Sequence, residues 1–281
     1  MRTRLILTVV VLAFAIPQIA GGSAAGKPVL DPIRNVGLME GVDVDLGSGG
    51  YVVVAWVQKV RGTSNKARLA VLVRTKQPGD STLRAPRRLG WAATGHINVE
   101  IGINGLTIVA WTGRTGEMTY SMRHPRTGWT ANHSVEGSKS AGALLSVGPD
   151  GTVIAADTVG SVANQQARRA RVAIRKPGSS TFTEWRSISD GAKVGIDLAV
   201  TAGNAGEGTV AWSGMCPTDT TGDPAYYVDI DGLEQSQPTA LSNSKCTVWN
   251  LDLQRDRAGS QYLMIGTWTG IRLAVRHPGN A

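Results

Sequence analysis

Short segments in which apolar and polar residues alternate recur along most of the chain. They lie at Val42–Leu46, Ile97–Ile101, Ala143–Val147, Ile196–Val200 and Trp249–Leu253. A period of two predicts a β-strand with one packed face. Each segment leads through a turn of mostly glycine and small polar residues into a second, apolar strand, and helical heptads are absent. The sequence therefore predicts an all-β protein.

The strands form a repeating unit. The second strands end at equivalent positions 45 to 56 residues apart, namely Trp56, Trp111, Ala156, Trp212 and Trp268. A third strand leads to Arg-x-Pro-Gly or a related turn, and an outer fourth strand is predicted at Thr82–Leu89, Gly128–Val135, Thr181–Ile188 and Glu234–Leu241. Four strands in this length are typical of a propeller blade. One tryptophan on the second strand is most simply explained by packing between blades.

The fifth repeat stops before an outer strand. Lys27–Val36 resembles the outer-strand pattern with an internal proline, as in Leu83–Leu89. We expect this segment to pair beside Ile271–Arg276 and to close the ring, which removes exposed sheet edges. The predicted fold is a five-bladed β-propeller closed by an N-terminal strand that completes the last blade; a sandwich is the alternative.

The first 25 residues have the three parts of a signal peptide. Arg2 and Arg4 are basic, Leu5–Ile16 is apolar, and small residues follow at Gly21–Ala25. The apolar part is about a dozen residues long, whereas a membrane span needs roughly 20; a retained anchor is the alternative. We predict a signal peptide at 1–25, one propeller domain at 26–281, no stable membrane insertion after cleavage, and a monomer that is extracellular or associated with the cell envelope.

Two cysteines, Cys216 and Cys246, are present in the whole chain. In an oxidising compartment an even number predicts one disulfide, here closing a loop of about 30 residues. Two buried free thiols are the alternative.

The net charge of +8 favours an anionic partner. The basic stretches Arg84–Arg88 and Arg168–Arg171 lack the interleaved aromatic residues of a single-strand binding surface, so nucleic acid is not expected. A glycan or an anionic polymer of the cell envelope is the expected partner, and charged residues that merely solvate the surface are the alternative.

The first strand of each blade should line a central channel. Alternation directs Asp43, Asp45, Glu100, Asp197 and Asp252 into that channel. These carboxylates could bind a ligand or one cation, or act as a general acid and base; a hydrated polar channel is the alternative. Like charges at such close quarters should raise some carboxyl pKa values. The four histidines do not suggest a metal site, and no cofactor is expected.

Two runs carry a resemblance to known proteins: Val44–Gly47 with the following strand to Ala55-Trp56, and Val147–Val153. These runs resemble the repeats of secreted bacterial β-propellers of sialidase-like architecture. The Asp box of that family, Ser-x-Asp-x-Gly-x-Thr-Trp, is not intact, because Asp150 follows Ser146 by four positions. We therefore expect a non-catalytic binding or interaction module. The alternative is a glycoside hydrolase similar to five-bladed arabinanases. That resemblance implies catalysis by acidic residues of the inner strands.

Overall fold

The protein is described from a computed structural model. The structure describes residues 39–47, 50–61, 67–102, 104–125, 127–138, 144–160, 168–189, 194, 197–213, 225–231, 234–236, 239–240, 250–256, 258–267 and 270–277. All of them belong to one compact unit, Ile33–Ala281. Throughout these residues the regular elements are antiparallel β-strands, which confirms the predicted all-β class.

Eight strands form the first sheet: β1 Met39–Leu46, β2 Val52–Arg61, β3 Ala67–Lys76, β4 Arg87–Ile101, β5 Thr107–Gly113, β6 Met118–His124, β7 Gly128–Trp129 and β8 His133–Ser134. The long strand β4 belongs to two repeats. Its beginning pairs with β3 and its end with β5, and the pairing register shifts between Ala92 and Ile97. We call the half with β1–β3 repeat 1 and the half with β5–β8 repeat 2.

Three further sheets follow in chain order. Repeat 3 contains β9 Leu144–Val147, β10 Val153–Val159, β11 Arg169–Arg175 and β12 Arg186–Ser187. Repeat 4 contains β13 Leu198–Ala202, β14 Gly208–Ser213, β15 Ala225–Asp231, β16 Glu234–Gln235 and β17 Thr239–Ala240. Repeat 5 contains β18 Asn250–Arg255, β19 Gln261–Thr267 and β20 Gly270–Arg276.

The same turn joins the first and second strands of all five repeats. In repeat 1 the N–H of Gly47 donates to the carbonyl of Tyr51 at 2.8 Å, and the other repeats make the corresponding bond. A glycine with positive φ, which other residues adopt only with strain, stands immediately before the acceptor each time: Gly50, Gly105, Gly151, Gly206 and Gly259. The shared turn sets one pairing register, so that equivalent positions can be matched between repeats.

The outer strands of repeats 2 and 3 are shorter than predicted, whereas the one predicted at Thr82–Leu89 begins at Arg87 and continues to Ile101. In repeat 2 the hydroxyl of Thr130 accepts a hydrogen bond from the N–H of Met122, while the N–H of Thr130 donates to the Met122 carbonyl. Thr183 does the same with Ile174 in repeat 3. A hydroxyl that replaces a backbone carbonyl interrupts the regular ladder. The predicted strand Gly128–Val135 is therefore two short pieces, and Thr181–Ile188 contracts to Arg186–Ser187.

The core lies between neighbouring sheets. Trp111 of β5 packs in the cluster that joins repeats 1 and 2, and Trp212 of β14 packs in the cluster that joins repeats 3 and 4. Both side chains are buried, as the packing interpretation of these tryptophans predicted. Their burial holds successive repeats face to face and positions the first strands beside one another.

Several predictions fall outside the described residues. These are the signal peptide at 1–25, the strand Lys27–Val36, the Cys216–Cys246 disulfide and the last tryptophan, Trp268. The blade number and the closure of the ring also stay predictions. Within the described part of the chain, no helix is long and apolar enough to cross a membrane.

Candidate functional site

The first strands of all five repeats line one polar cavity of about 460 Å3. Four of the predicted site residues belong to its lining: Asp43, Asp45, Glu100 and Asp252. Asp197, immediately before β13, is half-buried but is not among the lining residues. The cavity thus collects carboxylates from β1, β4 and β18, which are far apart in the sequence.

Asp43 and Asp45 reach sideways to the neighbouring first strand. The Asp43 carboxylate accepts a hydrogen bond from the N–H of Val99 at 2.7 Å, and Asp45 accepts one from Ile101 at 2.6 Å. Each also accepts a bond from the N–H of the residue that follows it. These two carboxylates line the cavity and at the same time tie repeat 1 to repeat 2.

The next repeats continue the same connection. Asn98 of β4 accepts a hydrogen bond from the N–H of Leu145 at 3.0 Å, and Ser146 of β9 accepts one from Ala202 at 2.8 Å. The hydroxyl of Ser146 in turn donates to Glu100 at 2.5 Å. In the first strands of repeats 1, 2 and 3 a polar side chain thus accepts a hydrogen bond from a backbone N–H of the first strand that follows.

Burial controls the acidity of these groups. It raises the pKa of Asp43 and of Asp45, while backbone N–H bonds to each carboxylate oppose the rise. The pKa of Glu100 lies well above its ordinary value because the side chain is buried, and the nearby Asp45 and Asp252 raise it further. Burial also raises the pKa of Asp197. The predicted rise from like charges is present, but desolvation is the larger cause.

Asp252 differs from the other carboxylates of the cavity because it is exposed. Its carboxylate accepts a hydrogen bond from the Gln254 amide at 3.2 Å. Its charge still raises the pKa values of Asp43, Asp45 and Glu100. Within the described residues, no group of three or more acidic, histidine or cysteine side chains is arranged to hold a metal ion.

Sequence reasoning missed a second cavity, of about 300 Å3, at the contact of repeats 1 and 2. Its lining includes the side chains of Tyr51, Gln77, Asn104 and Arg123. The Arg123 guanidinium donates to the Tyr51 hydroxyl at 2.8 Å and lies 5.3 Å from the centre of its ring. A repeated signal was available in the sequence, because strand pairing puts a basic residue at this register in four repeats: Lys76, Arg123, Arg175 and Arg276.

No protein-family model and no curated protein sequence matches this chain. Similar solved structures do exist. A lectin of Aleuria aurantia in complex with Fucalpha1-6GlcNAc has a TM-score of 0.50 and 11% identity, over 84% of this chain and 74% of the lectin. A GH43_1 enzyme from Xanthomonas citri has a TM-score of 0.42 and 12% identity, over 85% of this chain and 87% of the enzyme.

The β-propeller domain of the Trilobed protease from Pyrococcus furiosus has a TM-score of 0.44 and 9% identity, over 86% of this chain and 84% of that domain. The structural neighbours are β-propeller-type folds. At these identities the similarity concerns the fold alone. No sequence-level finding supports the sialidase-like resemblance.

Proposed function

We propose that this protein is a non-catalytic carbohydrate-binding module that works outside the cell. The observation that carries the proposal is that carboxylates of the cavity already form hydrogen bonds within the protein. Asp43 and Asp45 each accept a hydrogen bond from a backbone N–H of repeat 2, and Glu100 accepts one from the Ser146 hydroxyl. Carboxylates that hold the fold together are poorly placed to exchange protons with a substrate or to attack it. The expected ligand is a glycan or an anionic polymer of the cell envelope.

The glycan part of the proposal draws on a fold analogy and on charge. Glycan binding is found in a protein of similar fold, the Aleuria aurantia lectin. Without residues 1–25, which carry two arginines and no acidic residue, the net charge is +6 (27 basic minus 21 acidic residues), and it favours anionic glycans in particular. Export, which the basic and apolar segments of residues 1–25 indicate, would bring the chain to such polymers.

The architecture that we propose is a closed ring of five blades. Repeat 5 carries Asp252 and Gln254 at the register positions of Asp43 and Asp45. By this match we expect these side chains to face β1 of repeat 1. The shared cavity, lined by both β1 and β18, supports this neighbourhood.

Exposed apolar residues give a second argument for closure. They lie on one face of the first and of the last described sheet: Val42, Val44 and Leu46 on β1, and Ile271, Leu273 and Val275 on β20. Apolar faces of this kind are normally covered. In a closed ring the two faces would cover each other, with Lys27–Val36 as the outer strand of the last blade.

A glycoside hydrolase is the second candidate. It is favoured by the raised pKa values of Asp43, Asp45 and Glu100 in one cavity, since a raised pKa suits a carboxyl group to act as a general acid. In that case Asp252, the exposed carboxylate of the cavity, would be the second carboxylate of the pair.

Two assays on the secreted chain separate the candidates. We expect a panel of aryl glycosides to show no turnover, and a glycan array run at low and at high salt to show binding that survives the higher salt. Hydrolysis that is lost in Asp43→Asn or Asp197→Asn would overturn the binding function in favour of the hydrolase. An array without any salt-resistant signal would overturn carbohydrate binding itself.

A further inference from the structure

The cavity between repeats 1 and 2 contains a buried cation. Arg123 is 8% exposed and Tyr51 is 6% exposed. Within the described part of the chain, no carboxylate lies within ion-pairing distance of Arg123. Its one hydrogen bond to another described side chain goes to the neutral hydroxyl of Tyr51. A buried charge is normally paired, because desolvation without a counter-charge is costly.

The other repeats show what the arginine at the register of Arg123 binds when the protein itself provides the partner. In repeat 5 the guanidinium of Arg276 forms an ion pair with Asp229 of repeat 4. In repeat 3, Arg175 donates to the carbonyl of Ser179 at 2.7 Å and contacts the sulfur of Met122. The arginine at this register thus contacts a carboxylate of the protein in repeat 5 and neutral groups in repeat 3.

Repeat 1 lacks the corresponding acidic residue. Strand pairing matches Thr75, opposite Val53, with Asp229, opposite Thr209. Where repeat 4 supplies a carboxylate to the next repeat, repeat 1 therefore supplies a hydroxyl, and the space beside Arg123 is the cavity of about 300 Å3. That volume is at the lower end of the range of small-molecule sites.

We infer that this cavity binds a carboxylate-bearing sugar, such as a uronic acid residue of a glycan. The planar guanidinium of Arg123 matches a carboxylate with two parallel hydrogen bonds. The amide of Gln77 and the hydroxyl of Tyr51 are polar groups at the same cavity that suit sugar hydroxyls, and Pro78 and Pro125 provide apolar walls. The inference rests on the proposed carbohydrate-binding function and names its ligand class and site.

The test is calorimetric titration of the purified chain with D-glucuronate and D-galacturonate, and with their uncharged methyl esters. We expect one site per chain and at least a tenfold weaker affinity for the esters. Arg123→Gln should weaken uronate binding by roughly 10- to 100-fold, since a hydrogen bond to a charged group is lost. Arg123→Lys keeps the charge but not the planar fork, so its affinity for the uronates should lie between those of the wild type and Arg123→Gln. Equal affinity for acid and ester, or an unchanged affinity in Arg123→Gln, would overturn the inference.

Two further variants keep the test independent of folding defects. Thr75→Asp adds the carboxylate that repeat 4 has at this register; we expect it to pair with Arg123, to keep the melting temperature and to abolish uronate binding. Arg84→Gln removes the same unit of charge from an exposed position and should bind like the wild type. Uronate binding retained in Thr75→Asp would contradict the site, and acetate bound as tightly as the uronates would contradict a sugar ligand.

Failure of this inference and failure of the proposed function have different signatures. Neutral glycans that bind wild type and Arg123→Gln equally, with no uronate binding, would overturn the site but leave the carbohydrate-binding function. Uronate binding that depends on Arg123, together with turnover of aryl glycosides, would leave the site and overturn the non-catalytic function.

Discussion

Arg171 and Asp157 form an ion pair that the surrounding protein removes from water. The Asp157 side chain is fully buried, and its carboxylate lies 2.8 Å from the Arg171 guanidinium. Arg171 also donates to the carbonyl of Gly137 and lies 4.5 Å from the ring centre of Trp185. One guanidinium thus joins two strands of repeat 3 to the segment that follows repeat 2.

Removing this guanidinium should be strongly destabilising. Arg171→Met leaves the Asp157 charge buried without a partner, and we expect a loss of about 3–5 kcal/mol in the free energy of unfolding. Urea denaturation measures it. Arg84→Met, which removes an exposed arginine paired with Asp80, is the matched control and should leave the midpoint unchanged. Similar midpoints for both variants would contradict the assigned role of the pair.

Glu100 should make stability depend on pH. Its raised pKa means that the folded chain holds the Glu100 proton more tightly than the unfolded chain does. Its contribution to stability is therefore fully present below the ordinary pKa of 4.5 and is lost as the pH rises through the raised folded pKa.

The variant Glu100→Gln isolates this dependence. As the pH rises above the ordinary pKa of 4.5, the wild type should lose more unfolding free energy than Glu100→Gln, because the variant has no proton to lose at this position. Denaturation curves at several pH values measure the two slopes, and a carboxyl carbon NMR titration gives the Glu100 midpoint directly. Parallel slopes, or a midpoint at or below the ordinary value, would show that Glu100 is not desolvated as described.

At the scale of the strands, hydrogen bonds between successive first strands explain which polar residues alternate with apolar ones. Apolar Val99 packs toward repeat 1, whereas Asn98 and Glu100 on the opposite face bind the first strand of repeat 3. Alternation identified these polar residues, but it could not show that their partner is a backbone N–H. These contacts are tertiary, since Asp43 and Val99 are 56 residues apart.

Loss of the Asp43 acceptor should expose one particular amide. Asp43→Ala leaves the N–H of Val99 without its carboxylate, and we expect faster hydrogen exchange at Val99, by about tenfold. Asp43→Asn is the matched control, because Asn98 shows that an asparagine can accept the equivalent bond. Exchange can be followed by NMR for Val99 and, as an internal reference, for Ile101. Unchanged protection of Val99 in the alanine variant would argue against the bond as a stabilising contact.

At the scale of the whole molecule, the open question is the closure of the ring. Among the described strands, β20 pairs only with β19, so one of its edges has no partner there. The prediction that Lys27–Val36 covers this edge can be tested by comparing two chains without the signal peptide, one beginning at Lys27 and one at Met39.

The shorter chain should lose protection at the free edge. We expect faster hydrogen exchange in Gly270–Arg276 and a lower melting temperature, because the last sheet would lack its outer strand. Exchange in β11, Arg169–Arg175, should not change and serves as the control. Equal exchange in Gly270–Arg276 for both chains would refute the pairing of Lys27–Val36 with the last repeat.

Much of the fold was predictable from local rules. Period-two alternation and glycine turns depend on neighbouring residues, so the five first strands, such as Val42–Leu46 within β1, could be located from the chain alone. The outer strands were predicted too long because the hydroxyls of Thr130 and Thr183 replace backbone acceptors, and this depends on which strand lies alongside.

The candidate sites divide in the same way. Alternation alone predicts that Asp43, Asp45 and Glu100 lie on the cavity face of their strands. Their hydrogen bonds to the next repeat, and the burial that raises their pKa values, arise only when the sheets pack. The cavity beside Arg123 was missed because it forms between two repeats, although a basic residue recurs at the register of Arg123. Local pattern determines which side chains a strand carries on each face, whereas the packing of one sheet on another determines what those side chains touch and how much water they keep.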